Sequence, residues 1–562
     1  MGDHAKRICD EYQYLLEKSQ QYFASLRDLP AVGRKQYQPY FLRTFEVYTK
    51  LWRFQQEHRA VLESREHFSL KRYEIGEMAS KIGQLYYHYY LRTSDTAYLM
   101  ESSVFYEAIR SRSYFANVLD AKSDALMVKK LRYFARYIVT VLLMNDWVLA
   151  RTLLQELESA VGEYQTTFKA SDVQEWQLVM QEIKSFIEHS EPVVIGGSVS
   201  NPYVVSYAPS GLSTKSPSSA SHTLSVSAEM EDKGRCTVQE CIIVGAIARQ
   251  TKFSELTLDM YRMLQVMESQ RTVRQKCMES NGGAGDDDKA ATVSTVSSTA
   301  SATSSSAAEM LSIETQNSPS KYLLYYPSVE SVLTCLSSVQ KELLAPNEAW
   351  LLYVSGESKT TPSGEGVCLA KSSCDHVLYP SDLVPFLRRP AIVLADTVNA
   401  EVFLQMESPF QQPLLIVAAP VPRMNKETVT TQGSLLTAFL HAPLVAFCEL
   451  CEIKTLKPEV YNFAMEKMQG AKAAFDAAWK GKEKDLDVSL RAFSSDVFIR
   501  KIIFHVLLLD YVCRYHAKLS LMTNAPPVMK PSLPDSLSEL PILNDLIHHL
   551  VSSLGVEHHF KF

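Results

Sequence analysis

Apolar residues at helical spacing, interrupted once by a short polar break, dominate the stretch 69–112 of this 562-residue chain. The break is Thr93-Ser94-Asp95, whose side-chain oxygens can accept hydrogen bonds from the first free N–H groups of a following helix. Ala79 and Gly83 are small enough to let a facing helix approach closely. The pattern therefore predicts two helices folded back on one another. Because such a hairpin buries its apolar face only against similar neighbours, it also predicts a helical array.

Helical periodicity continues on both sides of this hairpin. We predict further helices over 9–26, 36–63, 125–143, 147–164 and 172–189. Gly83 with Tyr86, and Phe105 with Ala108, resemble the packing positions of tetratricopeptide-type hairpins, but their separation is too long for a counted repeat. An ordinary helical bundle remains the alternative interpretation.

The second half of the chain follows a different pattern. Four apolar runs of strand length, KYLLYYP, AWLLYVSG, PAIVLADTV and QPLLIVAAP, alternate with helical segments such as 328–344 and 400–408. Near-continuous apolar strands separated by helices indicate a parallel sheet covered on both faces. The predicted fold class is α + α/β: an N-terminal helical array with tetratricopeptide-like hairpins, then a Rossmann-like or flavodoxin-like parallel sheet with C-terminal helices.

Composition shifts suggest the domain limits. We predict a helical domain at 1–190, and short strands plus a helix at 191–269 with a Ser-rich insert at about 208–228. A low-complexity loop at 270–318 is too poor in large apolar groups to offset the entropy of ordering, and we expect it to be disordered. An α/β domain at 319–456 and C-terminal helices at 457–562, packed on the α/β layer, complete the chain. Ser254 is the predicted cap of the helix that ends the second region.

Bulk composition excludes few classes of function. The net charge of −6 is mild, and the ten cysteines are scattered, which fits free thiols in a reducing compartment. The first residues lack the features of a signal peptide, and no apolar run approaches the ~20 residues of a membrane span. We therefore expect an intracellular protein without a membrane segment.

Open parallel sheets bind ligands beyond the carboxyl ends of their strands, so the residues that follow the predicted strands are the candidate ligand sites. Neither GxGxxG nor GxxxxGK[ST] follows any of them, so a phosphate-binding loop is not predicted. Asp396 invites comparison with the metal site of von Willebrand A-type domains, but Val398 and Ala400 offer no oxygen ligand at the alternate positions. We interpret Asp396 as a cap of the following turn.

The cysteine and histidine residues also give little support for a metal site or a catalytic site. Cys448 and Cys451, with Cys368, Cys374 and His376, could supply soft ligands for zinc, but the first pair lies inside an apolar helical run. We expect buried thiols. His88 stands among tyrosines without a recognisable nucleophile, which favours a hydrogen-bonded packing role. The sequence thus predicts no catalytic residue, no cofactor, no metal and no small-molecule substrate.

One local charge feature carries functional information. The segment 34–136 holds 18 lysine and arginine residues against 11 aspartate and glutamate residues, and it is rich in tyrosine. Basic and aromatic groups together suit acidic peptides or single-stranded nucleic acid, although a solvated helix face beside an aromatic core is the simpler interpretation. The residues predicted to line such a surface are Arg110, Arg112, Lys129, Lys130, Arg132 and Arg136.

Several ordered blocks resemble the suppressor of cancer cell invasion (SCAI) family. They are LRDLP from Leu26, RTFEVYTKLWRFQQEHR from Arg43, KIGQLYYHYYLRTSDTAYL from Lys81, KKLRYFARYIV from Lys129, FSELTLDMYRMLQ from Phe253, KYLLYYPS from Lys321, YPSDLVPF from Tyr379 and GSLLTAFL from Gly433. The resemblance covers most of the chain apart from the Ser-rich inserts.

The resemblance implies a non-enzymatic nuclear corepressor, present also in the cytoplasm. Its expected partners are transcription coactivators of the myocardin-related type, through which serum response factor is restrained downstream of actin and Rho signalling, and DNA double-strand-break repair factors. The residues alone leave an alternative open, namely a direct single-stranded nucleic-acid binder or a diverged nucleotide-dependent α/β enzyme.

Overall fold

The computed structural model describes residues 2–29, 34–116, 123–168, 171–190, 193–195, 235–268, 319–369, 376–420, 432–521 and 526–562. The predicted Ser-rich insert and low-complexity loop lie outside the described residues. The described helices, numbered in chain order, are α1 (Gly2–Ser25), α2 (Arg34–Glu57), α3 (Arg72–Thr93), α4 (Thr96–Ser111), α5 (Asp124–Leu143), α6 (Trp147–Phe168), α7 (Val173–Ser190), α8 (Leu258–Glu268), α9 (Val329–Glu342), α10 (Leu435–His441), α11 (Pro443–Leu450), α12 (Pro458–Gly481), α13 (Val497–Tyr515) and α14 (Pro541–Leu554).

The described strands are numbered separately from the helices, also in chain order. They are β1 (Val194–Ile195), β2 (Thr237–Ala246), β3 (Lys252–Phe253), β4 (Leu256–Thr257), β5 (Ser320–Tyr325), β6 (Glu348–Thr361), β7 (Gly364–Cys368), β8 (Val377–Leu378), β9 (Ala391–Asp396), β10 (Leu414–Ala419), β11 (Thr455–Leu456) and β12 (Val528–Lys530). Short helical turns lie at Leu26–Asp28, Arg59–Leu62, Pro380–Leu383, Val384–Phe386, Ala400–Gln405, Glu483–Asp485, Val488–Ala492, Asp535–Ser538 and Glu557–His559. Within the described ranges, every helix falls short of the length and apolarity needed to cross a membrane.

The predicted helical hairpin is present as α3 and α4. Ser94 ends α3 in the left-handed conformation with φ 57°, and the Asp95 carboxylate accepts a hydrogen bond from the Ala97 N–H at 3.0 Å. The helices touch at Gly83, where an added Cβ would lie 3.0 Å from the Tyr106 ring. The Ser102 hydroxyl donates to the Gly83 carbonyl at 2.8 Å. The helical periodicity and the capping residues of this stretch thus correctly predicted the α3–α4 hairpin.

The α + α/β fold class is confirmed, and the strand order is flavodoxin-like. Five parallel strands lie in the order β5-β2-β6-β9-β10, and the short β12 adds antiparallel to β10. The central strand β2 comes from the region that the sequence grouped with the short strands, upstream of residue 319. Neighbouring residues of β2 point to opposite faces: Ile242 packs under α9, and Ile243 packs under α8 and the C-terminal helices.

The segment after β2 differs from its prediction. Ser254 does not cap α8, because it has φ 54° and forms the turn between β3 and β4. The helix begins later, at Leu258, where the Thr257 hydroxyl accepts a hydrogen bond from the Met260 N–H at 3.3 Å. Helical periodicity in the sequence did not reveal this small hairpin, because its four strand residues are too few to show a period of two.

The helical domain contacts the α/β layer both at the edge strand β5 and at α8. The backbone N–H of Lys321 in the edge strand β5 donates to the Ser94 hydroxyl, at the turn of the α3–α4 hairpin, at 2.8 Å. The carbonyl end of α5 accepts hydrogen bonds from α8: the Tyr261 hydroxyl donates to Leu142 at 3.1 Å and the Gln265 amide to Leu143 at 3.0 Å. A continuous apolar core connects the two layers.

Candidate interaction surface

Helices α3 and α5 lie side by side and run in the same direction. The Lys129 ammonium on α5 bonds the Glu77 carboxylate on α3 at 2.7 Å. One turn further along α3, Lys81 lies within electrostatic reach of Arg132 and Arg136 on α5. The spacing of three and four residues places Lys129, Arg132 and Arg136 on one face of α5. Cationic side chains of two helices therefore meet along one shared groove.

We call four of these cations the basic stripe: Arg27, Lys81, Arg132 and Arg136. Arg27 belongs to the helical turn after α1 and lies within electrostatic reach of Lys81. Arg27, Lys81 and Arg132 are exposed, and Arg136 is half-buried. The stripe thus combines two of the six residues predicted from sequence with two that sequence analysis did not single out.

The other predicted residues lie in different surroundings. Arg110 bonds the Glu156 carboxylate of α6 at 2.7 Å, and Lys130 lies 3.5 Å from the Glu163 carboxylate of the same helix. The exposed Arg112 guanidinium donates to the Tyr114 hydroxyl at 3.2 Å. Lys129 borders the stripe, but its charge is matched by Glu77. The six predicted residues therefore divide between two faces of the helical domain, and those facing α6 are largely neutralised.

The basic stripe forms no ion pair within the described ranges, although Glu77, which is bonded to Lys129, also attracts Lys81. No carboxylate oxygen in these ranges lies within the 4.0 Å ion-pair distance of the side-chain nitrogens of the four cations. Partial desolvation, then repulsion from Arg136 and Arg27, lowers the pKa of Lys81. Desolvation, with repulsion from Arg132, likewise lowers the pKa of Arg136. The four positive charges therefore oppose one another in the isolated chain.

Aromatic side chains border one end of the stripe. The Lys81 ammonium lies 4.7 Å from the centroid of the Phe23 ring, and Phe23 packs 6.1 Å from the His88 ring. Burial, then the charges of Arg136 and Lys81, lowers the pKa of His88 to about 4. His88 therefore packs as a neutral ring beside Phe23, but no hydrogen bond from the described residues reaches it, so the hydrogen-bonded role predicted from the sequence is not supported.

The crevice where flavodoxin-like sheets bind ligands is filled by side chains. In this strand order the switch point lies between the carboxyl ends of β2 and β6. A Cβ added at Gly245 would collide with Met260, and one added at Gly356 would lie 2.5 Å from Val367. Both Met260 and Val367 are fully buried. The protein itself occupies the usual ligand position.

A closed hydrogen-bond network lies beside this crevice. The Tyr353 hydroxyl donates to Oδ2 of Asp396 at 2.7 Å, and the Ser434 hydroxyl donates to Oδ1 at 2.8 Å. Oδ1 of the nearby Asp259 accepts from the Ser434 N–H at 2.9 Å. The turn-capping interpretation of Asp396 was wrong, because its carboxylate is bonded to Tyr353 of β6 and to Ser434, the residue that caps α10. Each of its oxygens is already bonded to a donor of the protein, which disfavours cation binding.

This network makes the stability of the fold depend on pH. Burial, reinforced by the charge of Asp259, raises the pKa of Asp396 from 3.8 to about 7. Between these values the folded state holds a proton that the unfolded state has lost, so this contribution to stability falls as pH rises towards 7.

We therefore expect Asp396→Asn to remove one component of the pH dependence. Its free energy of unfolding, relative to the parent protein, should rise by roughly 2 kcal/mol between pH 5 and pH 7. Urea titrations at half-unit pH steps would measure the difference. Parallel pH profiles for the two proteins would contradict the assignment.

The cysteines considered as zinc ligands are buried. Cys448 lies in α11, Cys451 follows it, and burial raises the pKa of both thiols to about 12. Cys374 lies outside the described residues. Among the described residues, no group of three or more His, Cys, Asp and Glu side chains has a geometry that could hold a metal ion.

Comparison with known proteins gives one consistent result. A family model described as Protein SCAI matches residues 14–367 and 357–519. Protein SCAI of Homo sapiens is 35% identical over 587 residues, covering 99% of this chain and 90% of the relative. This chain belongs to the SCAI family. Protein SCAI of Mus musculus is 34% identical with the same coverage, and the Protein SCAI homolog of Dictyostelium discoideum is 30% identical, covering 98% of this chain and 91% of the relative.

No solved structure matches the chain. The names of these SCAI relatives describe no enzymatic activity. For this SCAI family member, the sequence predicted the two stripe residues on α5, Arg132 and Arg136, because their spacing of four residues is a local helical signal. Lys81 was missed because only the packing of α3 beside α5 brings it to the groove, and Arg27 was missed because only the packing of the end of α1 on α3 brings it near Lys81.

Proposed function

We propose that the protein is a non-enzymatic nuclear adaptor that acts as a transcriptional corepressor. Its proposed partners are a transcription coactivator of the myocardin-related type, through which it restrains serum response factor, and DNA double-strand-break repair factors. Membership of the SCAI family supports this proposal. Presence in the cytoplasm as well is compatible with the same role.

The observation that carries the proposal is the contrast between the two layers. The ligand edge of the sheet is filled by Met260 and Val367, and its carboxylates are bonded within the protein. The helical domain, in contrast, presents accessible cations that the described carboxylates leave unmatched. The charged groups that lack an ion-pair partner therefore lie on the outer surface of the helical domain and not at the ligand edge of the sheet. An adaptor, which binds other macromolecules through its surface, requires this arrangement.

Partner capture by the full chain tests the adaptor role. We expect the immobilised protein to retain a recombinant coactivator of the myocardin-related type from the same organism, and its removal from cells to raise expression of a serum-response-factor reporter. Absence of capture together with an unchanged reporter would contradict the corepressor role. Stabilisation by saturating ATP or Mg²⁺ of more than about 1 kcal/mol would favour an enzyme instead.

A second candidate is direct binding of single-stranded nucleic acid. The excess of basic residues in the segment 34–136, next to many aromatic residues, favours it. A mobility shift of single-stranded DNA that weakens steeply with salt, and that disappears in the Lys129→Glu/Lys130→Glu/Arg132→Glu variant, would support this candidate. Retained coactivator capture without any DNA shift would favour the adaptor.

A further inference from the structure

The four cations of the basic stripe form an incomplete electrostatic site. Arg27, Lys81 and Arg132 are open to solvent, and Arg136 is half-buried beside them. Like charges held close together raise the free energy of the folded state unless an opposite charge lies between them. Glu77, which lies at one end, is bonded to Lys129 at 2.7 Å. The groove is therefore suited to negative charge supplied by another molecule.

The surroundings of the stripe favour carboxylates on a short polypeptide. The distance from Arg132 to Arg136 along α5 is about 6 Å at 1.5 Å per residue, which two extended peptide residues span.

Two observations weigh against a nucleic-acid strand at this position. Bases bind by stacking on open ring faces. The Phe23 ring at the stripe is only partly exposed, with the Lys81 ammonium over it at 4.7 Å and the Tyr48 ring edge-on at 6.2 Å. A long polyanion also experiences the charge of the whole chain, which is −6. A short acidic peptide interacts mainly with the local cations.

We propose that the basic stripe of α3 and α5 is the docking site for an acidic peptide segment of a partner protein. The carboxylates of the segment lie between Lys81, Arg132 and Arg136, and Arg27 closes the end of the groove next to Phe23. This proposal rests on the adaptor function and specifies the chemistry by which the adaptor recognises a partner.

Fluorescence anisotropy with the full chain tests the site. The probe is a fluorescein-labelled 12-residue peptide that carries four glutamates around a central leucine, and the matched probe has glutamine in place of each glutamate. We expect Lys81→Glu/Arg132→Glu to weaken binding of the glutamate probe by about tenfold or more, because two attractive contacts become repulsive. The glutamine probe should not bind.

A control variant with the same change in net charge separates the site from bulk charge. Arg112→Glu/Lys130→Glu alters two cations outside the stripe, and it should leave the affinity for the glutamate probe within about twofold. Lys81→Gln/Arg132→Gln, which introduces no new charge, should show an intermediate loss, and circular dichroism melts would establish that each variant is folded. Equal losses in the two charge-reversed variants would overturn the proposal.

Competition and partner capture complete the test. Displacement of the glutamate probe by a 12-nucleotide oligothymidylate at lower concentration than by unlabelled peptide would also overturn the proposal, since it assigns the stripe to nucleic acid. If the parent protein captures the coactivator and the Lys81→Glu/Arg132→Glu variant does so equally well, the docking site fails while the adaptor function stands. If the parent protein captures no coactivator, the adaptor function fails, and the peptide titration still decides the chemistry of the stripe.

Discussion

Asp259→Ala should lower the free energy of unfolding by about 3–5 kcal/mol, because it removes a fully buried acceptor of three hydrogen bonds and leaves the buried Arg262 with Glu449 as its one remaining carboxylate among the described residues. Asp259 is fully buried and accepts hydrogen bonds from the Ser434 N–H at 2.9 Å, the Thr437 hydroxyl and the Gln250 amide. The Arg262 guanidinium, only 4% exposed, lies 4.0 Å from this carboxylate. The substitution removes the acceptor of three donors and half of the charge compensation.

Urea unfolding at pH 8 would measure this loss. Asp259→Asn preserves the shape and one acceptor oxygen, so it should cost less than the alanine substitution. Glu401→Ala removes an exposed carboxylate and should change the free energy of unfolding by no more than about 0.5 kcal/mol. The pKa of Asp396 should also fall in Asp259→Ala, since the charge of Asp259 helps to raise it. A loss below about 1 kcal/mol for Asp259→Ala would contradict the buried network.

Tyr261→Ala should cost about 3–5 kcal/mol and weaken the connection between the two layers. The buried Tyr261 ring packs 5.2 Å from Phe186 and 6.0 Å from Trp147, both in the helical domain. Its hydroxyl donates to the Leu142 carbonyl at the end of α5. The substitution therefore creates a cavity at the contact between α8 and three helices of the array.

The companion variants separate the ring from the hydroxyl. Tyr261→Phe keeps the ring and should cost about 1 kcal/mol, because the hydrogen bond to the Leu142 carbonyl is lost. Tyr14→Ala, at a residue 58% exposed, should be nearly neutral. Tryptophan fluorescence and far-ultraviolet circular dichroism during urea unfolding would measure the losses. Equal stability of Tyr261→Ala and Tyr14→Ala would show that the two layers do not depend on this contact.

Elements determined by neighbouring residues could be predicted from the sequence. The α3–α4 hairpin follows from the Asp95 cap and from the close approach at Gly83, both of which a single stretch encodes. Burial on both faces likewise identified β9 and β10 as strands of a parallel sheet. The position of β2 in the middle of that sheet was not predictable, because its pairing with β5 and β6 joins segments separated by long stretches of chain.

The candidate site shows the same distinction. The spacing of Lys129, Arg132 and Arg136 is a local helical signal, and it survives in the structure as one face of α5. Which cations meet a carboxylate depends on the neighbouring helix, so sequence alone grouped Arg110 and Lys130 with them. Asp396 and Asp259 show more strongly that contacts between distant segments cannot be predicted from sequence. Their carboxylates both accept hydrogen bonds from Ser434, although the two residues are 137 positions apart in the chain.

The hydrogen bond between Ser94 and the Lys321 N–H has a consequence for how partners attach. β5 is the outermost strand on its side of the sheet, and an open border of this kind is a template for an incoming extended chain. The α3–α4 hairpin contacts that border at Lys321, and among the described residues the three-residue β12 forms the opposite edge. A foreign strand could therefore pair with this end of β5 only by displacing the Ser94 hydroxyl from the Lys321 N–H.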